Sequence, residues 1–154
     1  MVVLRLSDVG YQTVMQKIYF WKYQGNTRNY PGFHLSLNKE AADTITERLR
    51  SRLSMQMERS VIFDLMVPTD DLLSVPNNRN HKAHSKNRLE ISIRFDAKIE
   101  HLQIKETSDA FDVELAPSKT NELLVGIERL MMGENDYAMR GGHSQGNITC
   151  IWFW

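Results

Sequence analysis

His81 and His84 are close enough in the sequence to raise the question of a metal site. Imidazole nitrogens are common ligands of zinc and other transition metals. The surrounding segment 79–88, RNHKAHSKNR, is basic and contains no carboxylate. Because such neighbours repel a cation, we predict no metal site here. We also predict no bound cofactor.

Cys150 and His143 are the second pair, since a thiol beside an imidazole can act as a nucleophile. The chain around Cys150, ITCIWFW, is apolar, which is typical of a small buried side chain and not of an activated thiol. No serine stands in a GxSxG motif, and the glycines between 141 and 146 match no phosphate-binding motif. The motifs therefore leave enzymatic activity undecided and favour a protein without it.

Alternating strands supply the polar side chains that could act together. If helices cover the apolar side of these strands, the opposite side becomes a polar surface of mixed charge. The residues expected on it are His34, Ser36, Glu90, Arg94, Asp112 and Glu114. This surface is either an ordinary solvated face or a binding surface for a partner or a polar ligand. An acid–base pair on it, such as His34 with Asp112, would instead indicate a small hydrolase-like enzyme, for which His101 and His143 are the other histidine candidates.

The aromatic strand 17–23, KIYFWKY, and the basic loop 79–88 suggest a further alternative. Aromatic rings and cations together can bind single-stranded nucleic acid, because bases stack on the rings and the cations contact phosphates. Packing in the core is the more common role of such aromatic residues. Nineteen basic and nineteen acidic residues also give no net charge. The sequence therefore favours a protein partner over nucleic acid.

The stretch from Phe33 to Leu53 predicts a strand that leads into an amphipathic helix. Apolar and polar residues alternate up to position 37, and Asn38 is then suited to cap the helix. A similar pattern returns 78 positions later, beginning at Phe111. The matched apolar positions are Phe33 with Phe111, Leu35 with Val113, Leu37 with Leu115, Ile45 with Leu123, Leu49 with Ile127 and Leu53 with Met131. The offset indicates either an internal duplication or two independent units of the same kind.

The remaining segments are mostly strands. Val61–Val67 is nearly all apolar and is expected in the centre of the sheet, whereas Pro68–Arg88 reads as irregular. The final strand, Ile148–Trp154, is expected to be an integral sheet member with Trp152 against the helices. The predicted fold is α+β: a single, mainly antiparallel sheet with two amphipathic helices packed on one face.

Composition limits the functions that are compatible with this chain. Its 154 residues fit one domain, 1–154, and no run of about 18 apolar residues could span a membrane. A single cysteine and a start without a leader pattern predict a cytoplasmic protein. We therefore expect a binding or protein-interaction module without membrane attachment, and a homodimer remains open.

Overall fold

The structure, a computed structural model, describes residues 15–24, 30–76, 82–142 and 148–154. These residues form nine strands and three helices. In chain order they are β1 (Ile18–Tyr23), β2 (Phe33–Leu37), α1 (Lys39–Met55), β3 (Val61–Asp64), α2 (Asp70–Ser74), β4 (Ala83–Ser85), β5 (Arg88–Ile93), β6 (Leu102–Glu106), β7 (Ala110–Leu115), α3 (Pro117–Met131), β8 (Tyr137–Gly142) and β9 (Ile148–Phe153).

The strands form two sheets, so the prediction of a single sheet is wrong. Sheet 1 has the order β4-β1-β2-β9-β8, and sheet 2 has the order β3-β5-β7-β6. The pairings β2–β9 and β5–β7 are parallel and the others are antiparallel. The mixed α and β content and the mainly antiparallel pairing are confirmed. Alternation along a strand shows which residues share a face, but it does not show which strands pair.

The chain divides into the segment from β1 to β5 and the segment from β6 to β9, which we call its first and second halves, and apart from the additional β4 the two halves arrange their strands in the same way. In sheet 1 the hairpin β1–β2 lies beside β9 and β8, and in sheet 2 the hairpin β6–β7 lies beside β5 and β3. Each sheet therefore combines the first hairpin of one half with an antiparallel pair from the other half. The offset of 78 positions relates β2 to β7 and the start of α1 to the start of α3. An ancestral duplication stays a prediction.

Helices α1 and α3 contact each other and complete the hydrophobic core. The side chain of Asn38 accepts a hydrogen bond from the Ala41 N–H at 3.0 Å, which confirms Asn38 as the N-cap. Gly133 follows the end of α3 with φ +90°, a conformation that glycine adopts without strain. Both sheets contribute to this core, so the helices bridge them.

Three local predictions differ from the structure. Residues 61–67 are not a central strand: β3 ends at Asp64, lies at the edge of sheet 2 and alternates buried with exposed residues. The segment 68–88 contains α2 and β4, which its polar composition did not reveal. Met131 is 39% exposed, although the pattern placed it on the buried face of α3.

The last strand, β9, is an integral member of sheet 1, because it pairs with both β2 and β8. Its orientation is the reverse of the prediction: Phe153 faces α3, whereas Trp152 lies on the other side of the sheet. A Cβ atom added to Gly126 would come within 2.5 Å of the Phe153 ring. The absence of a side chain at position 126 therefore lets the ring pack directly against the helix backbone.

We predict that Gly126→Ala destabilises the protein even though alanine favours helices. In an open helix this change stabilises by roughly 0.5 to 1 kcal/mol, whereas overpacking a filled core costs about 1 to 3 kcal/mol. The melting temperature should therefore fall. Val125→Ala, at the exposed neighbouring position, is the matched control and should change stability by no more than about 0.5 kcal/mol. An unchanged or higher melting temperature for Gly126→Ala would contradict the packing described.

Candidate functional site

Four of the six predicted surface residues lie together on the outer face of sheet 2, the face turned away from the hydrophobic core. Glu90 lies on β5 and Arg94 directly follows that strand. Asp112 and Glu114 lie on β7. Register places Glu90 directly beside Asp112. Because alternate residues of β7 point to the same side, Glu114 follows Asp112 on that face. We call Glu90, Asp112 and Glu114 the acidic row.

The other two predicted residues, His34 and Ser36, belong to sheet 1. His34 is fully buried, and its ring stacks on Trp21 at 5.4 Å. Its Nδ1 accepts a hydrogen bond from Trp154 Nε1 at 2.9 Å, which places the proton of the neutral ring on Nε2. Burial lowers the pKa of His34 to about 4, against a smaller opposing effect from the Tyr30 backbone. His34 is therefore neutral at pH 7, and the structure does not bring it together with Asp112.

Glu114 is the most highly connected carboxylate of the acidic row. Its Oε2 accepts a hydrogen bond from Arg94 Nη2 at 3.0 Å, and its Oε1 lies 3.3 Å from His101 Nε2. Burial alone would raise the pKa of Glu114, but the hydrogen bonds from Arg94 and His101 outweigh burial and lower it. Glu114 is therefore held ionised within the protein.

Asp112, at the centre of the acidic row, is in the opposite electrostatic situation. Burial raises its pKa, and the neighbouring charges of Glu90 and Glu114 raise it further. Lys105 is its register partner on β6 and pulls the pKa down more weakly. No ion pair to Asp112 is formed by the residues that the structure describes. The negative charge of Asp112 is therefore incompletely compensated.

A second polar cluster, which the sequence did not indicate, joins the two sheets. Lys22 on β1 forms an ion pair with Glu106 on β6, and His84 Nε2 lies 2.8 Å from Glu106 Oε1. Burial would raise the pKa of Glu106, but Lys22 and His84 outweigh it and lower the pKa. Lys22 also lies over the Phe33 ring at 5.8 Å. The contributing residues are up to 84 positions apart, so no local pattern could have identified them.

The aromatic strand 17–23 does not offer a stacking surface along its length. Phe20, Trp21 and Tyr23 are all buried, with at most 7% of each residue exposed. Within the basic loop, His84 is engaged by Glu106, and Arg88 Nε lies 3.7 Å from Glu90 Oε2. Buried rings have no free face on which a base could stack.

Several sequence candidates lie outside the described ranges. They include His81 of the histidine pair and His143 of the cysteine pair. Across the described ranges, no group of three or more His, Cys, Asp or Glu side chains could hold a metal ion. Cys150 is buried, and burial raises the pKa of its thiol. Its environment is that of a packed side chain, as the sequence indicated.

Compared with known proteins, the chain matches no family model, no curated protein and no solved structure. None of the helices in the described ranges is both long enough and apolar enough to cross a membrane.

We predict opposite effects of neutralising the two neighbouring carboxylates of the acidic row. At pH 7 Asp112→Asn should raise the melting temperature, because its raised pKa means that the fold disfavours the ionised form. Glu114→Gln should lower it, because its lowered pKa means that the fold favours the ionised form. Cross-strand charge contacts contribute about 0.2 to 1 kcal/mol, so we expect shifts of roughly 1 to 3 °C.

Repeating the melts at lower pH tests the cause. The destabilisation by ionised Asp112 disappears as the pH falls through the pKa of Asp112 in the folded protein, so the rise in melting temperature caused by Asp112→Asn should vanish in acid. The stabilisation by ionised Glu114 is lost as the pH falls from the pKa of Glu114 in the unfolded chain through its lower pKa in the folded protein. The fall in melting temperature caused by Glu114→Gln should therefore also vanish. Shifts that persist unchanged in acid would indicate a packing effect instead.

Proposed function

We propose that this protein is a cytoplasmic binding module without enzymatic activity and that the outer face of sheet 2 binds another protein. The observation that carries the proposal is the acidic row, where Glu90, Asp112 and Glu114 lie side by side and Asp112 lacks an ion pair within the described residues. Glu90 and Asp112 are register partners on neighbouring strands, and Glu114 follows Asp112 two residues later on the same face. Charges fixed on strands in this way can be matched by complementary charges on a folded partner.

The partner we expect presents a lysine or arginine to Asp112 and Glu90. Burial is the main cause of the raised pKa of Asp112, and a cation placed there would offset the additional repulsion from Glu90 and Glu114. Arg94 and Lys105 lie beside the row and would disfavour partners with positive charge in the wrong places. Complementary charge of this kind governs specificity and the rate of association. A single cysteine is compatible with the proposed location, where thiols are kept reduced.

The exposure of the side chains bears on the proposal as well as their charge. Those of Glu90 and Arg94 are 28% and 47% exposed, whereas that of Glu114 is only 16% exposed. A partner could therefore reach Glu90 and Arg94 directly, while Glu114 acts mainly through its contacts with Arg94 and His101.

We predict that the double variant Glu90→Gln/Asp112→Asn lowers the affinity for the partner by at least about tenfold and leaves the fold intact. The partner would be identified by pull-down from the native cell with mass spectrometry, purified, and titrated by calorimetry. Glu47→Gln/Glu128→Gln, which removes the same charge from exposed helix positions, is the matched control and should bind like the wild type.

Three results would contradict the proposal. If both double variants bound the partner with equal affinity, the acidic row would not be part of the interface. Nucleic acid as the captured species, released by nuclease, would favour the alternative based on aromatic and basic residues. Sedimentation showing a stable dimer that Glu90→Gln/Asp112→Asn dissociates would identify a second copy of the chain as the occupant of this face.

A hydrolase-like enzyme is the second candidate because two histidines contact carboxylates. His101 lies 3.3 Å from Glu114, and His84 lies 2.8 Å from Glu106. A carboxylate bonded to one imidazole nitrogen can orient the ring and leave the other nitrogen to accept a proton. Hydrolysis of a chromogenic ester by the wild type, abolished by His101→Gln or His84→Gln, would favour this candidate.

A further inference from the structure

An open groove of about 540 Å³ lies between α1 and β3. We call it the arginine groove. Its lining residues are Arg48, Arg52, Arg59, Ser60, Val61 and Ile62. Ile62 is the register partner of Glu90, so the β3 side of the groove adjoins one end of the acidic row. The volume falls within the roughly 300 to 1,000 Å³ that is typical of small-molecule sites.

Local structure brings the three arginines together. Arg48 and Arg52 are one turn apart on α1, so they lie on the same side of the helix. Gln56, in a left-handed conformation at φ 52°, ends the helix and reverses the chain. This reversal brings Arg59 and the start of β3 back beside the helix. The groove thus results from one helix end and the strand that follows it.

Two of the guanidinium groups are already positioned by neighbouring groups. Arg52 Nε donates a hydrogen bond to the backbone carbonyl of Arg59 at 3.0 Å. The Arg48 guanidinium lies over the Phe63 ring, 5.5 Å from its centroid. A cation–π contact restrains the guanidinium without neutralising it. Both side chains have therefore lost part of the freedom that binding would otherwise remove, and both keep hydrogen-bond donors.

The three arginines of the arginine groove have no ion-pair partner among the described residues, and Glu90, which lies across from Ile62, pairs with Arg88 instead. The described residues that line it include no carboxylate, and the ion pairs of the described residues use other cations. Glu58, adjacent to Arg59 in the sequence, instead accepts a hydrogen bond from the Phe95 N–H at 3.0 Å. In a chain with no net charge, three such arginines form a local excess of positive charge.

The end of α1 opposes an anion less than a bare helix C-terminus would. Terminal carbonyls carry partial negative charge. Here the Arg52 carbonyl accepts hydrogen bonds from the N–H groups of Gln56 and Met57, and the Leu53 carbonyl accepts one from Gln56. These donors satisfy the carbonyls nearest the groove and reduce the repulsion of a negative ligand.

We propose that the arginine groove binds the phosphate group of a small organic phosphate ester. Guanidinium groups pair with phosphate oxygens through two parallel hydrogen bonds, and the Ser60 hydroxyl adds a further donor. Ile62, which is 49% exposed and is the register partner of Glu90, is the exposed apolar residue that lines the groove and would contact the organic part of the ester. Free phosphate would use the arginines alone.

Calorimetric titration at low ionic strength with phenyl phosphate, inorganic phosphate and benzyl alcohol tests the proposal. Phenyl phosphate should bind, inorganic phosphate should bind more weakly, and benzyl alcohol should not bind. If inorganic phosphate bound more tightly than phenyl phosphate, the proposal that the ligand is an ester would be overturned and free phosphate would be identified as the ligand. Equal binding of benzyl alcohol would overturn the role of the arginines.

Variants locate the site. Arg52→Gln and Arg48→Gln should each weaken the binding of phenyl phosphate roughly tenfold, because each variant removes a charge-assisted hydrogen-bond pair between a guanidinium group and the phosphate. Arg50→Gln is the matched control, since Arg50 is on the same helix but lines the groove between α1 and α3. It should bind within about twofold of the wild type. Should Arg52→Gln unfold, Arg48→Lys keeps the charge and loses the two-pronged geometry, and it should still weaken binding. Equal losses in Arg50→Gln and Arg48→Gln, or no binding by the wild type, would overturn the proposal.

Discussion

The parallel pairings β2–β9 and β5–β7 are the constraint on which the rest of the structure depends. Each joins a strand from the first half of the chain to a strand from the second half. Both sheets are therefore incomplete without the partner half, and the apolar faces of the helices are buried only when both halves are present. The rings of Phe20, Phe33 and Phe111 meet where the sheets approach each other, with centroids 5.3 to 5.6 Å apart. Such closely packed contacts lose energy when any one ring is moved.

Two sheets provide two outer faces, and the faces have opposite character. On sheet 1 the outer side is aromatic and largely buried, with His34 enclosed between Trp21 and Trp154. On sheet 2 the outer side is polar and open, with Asp112 at its centre. A histidine among indole rings becomes a neutral packing element, whereas a carboxylate beside other carboxylates retains electrostatic energy that a ligand can release. The same alternating pattern in the sequence thus produces a core layer in one sheet and a candidate binding surface in the other.

Zero net charge conceals local differences in how charges are paired. In the acidic row of sheet 2, Glu90 and Glu114 have arginine partners and Asp112 has no ion pair among the described residues, and the arginines of the arginine groove likewise have none. The Lys22–Glu106–His84 cluster, by contrast, has both signs in contact and connects the sheets. Paired charges of this kind support the fold, whereas unpaired ones remain available to ligands. Overall composition is therefore a poor guide to what each surface can bind.

The sequence by itself determined most of the strands, though not β4 and β8, and the two long helices with most of their buried positions, because alternation and helical spacing are local properties. It also determined the start of α1, where Asn38 caps the helix. Only the tertiary structure decided that His34 and Asp112 belong to different sheets and that Lys22 meets Glu106. Strand order and contacts between distant segments depend on how the halves pack together. Four residues of the predicted surface share one face because β5 and β7 are neighbours, which no pattern within either strand could reveal.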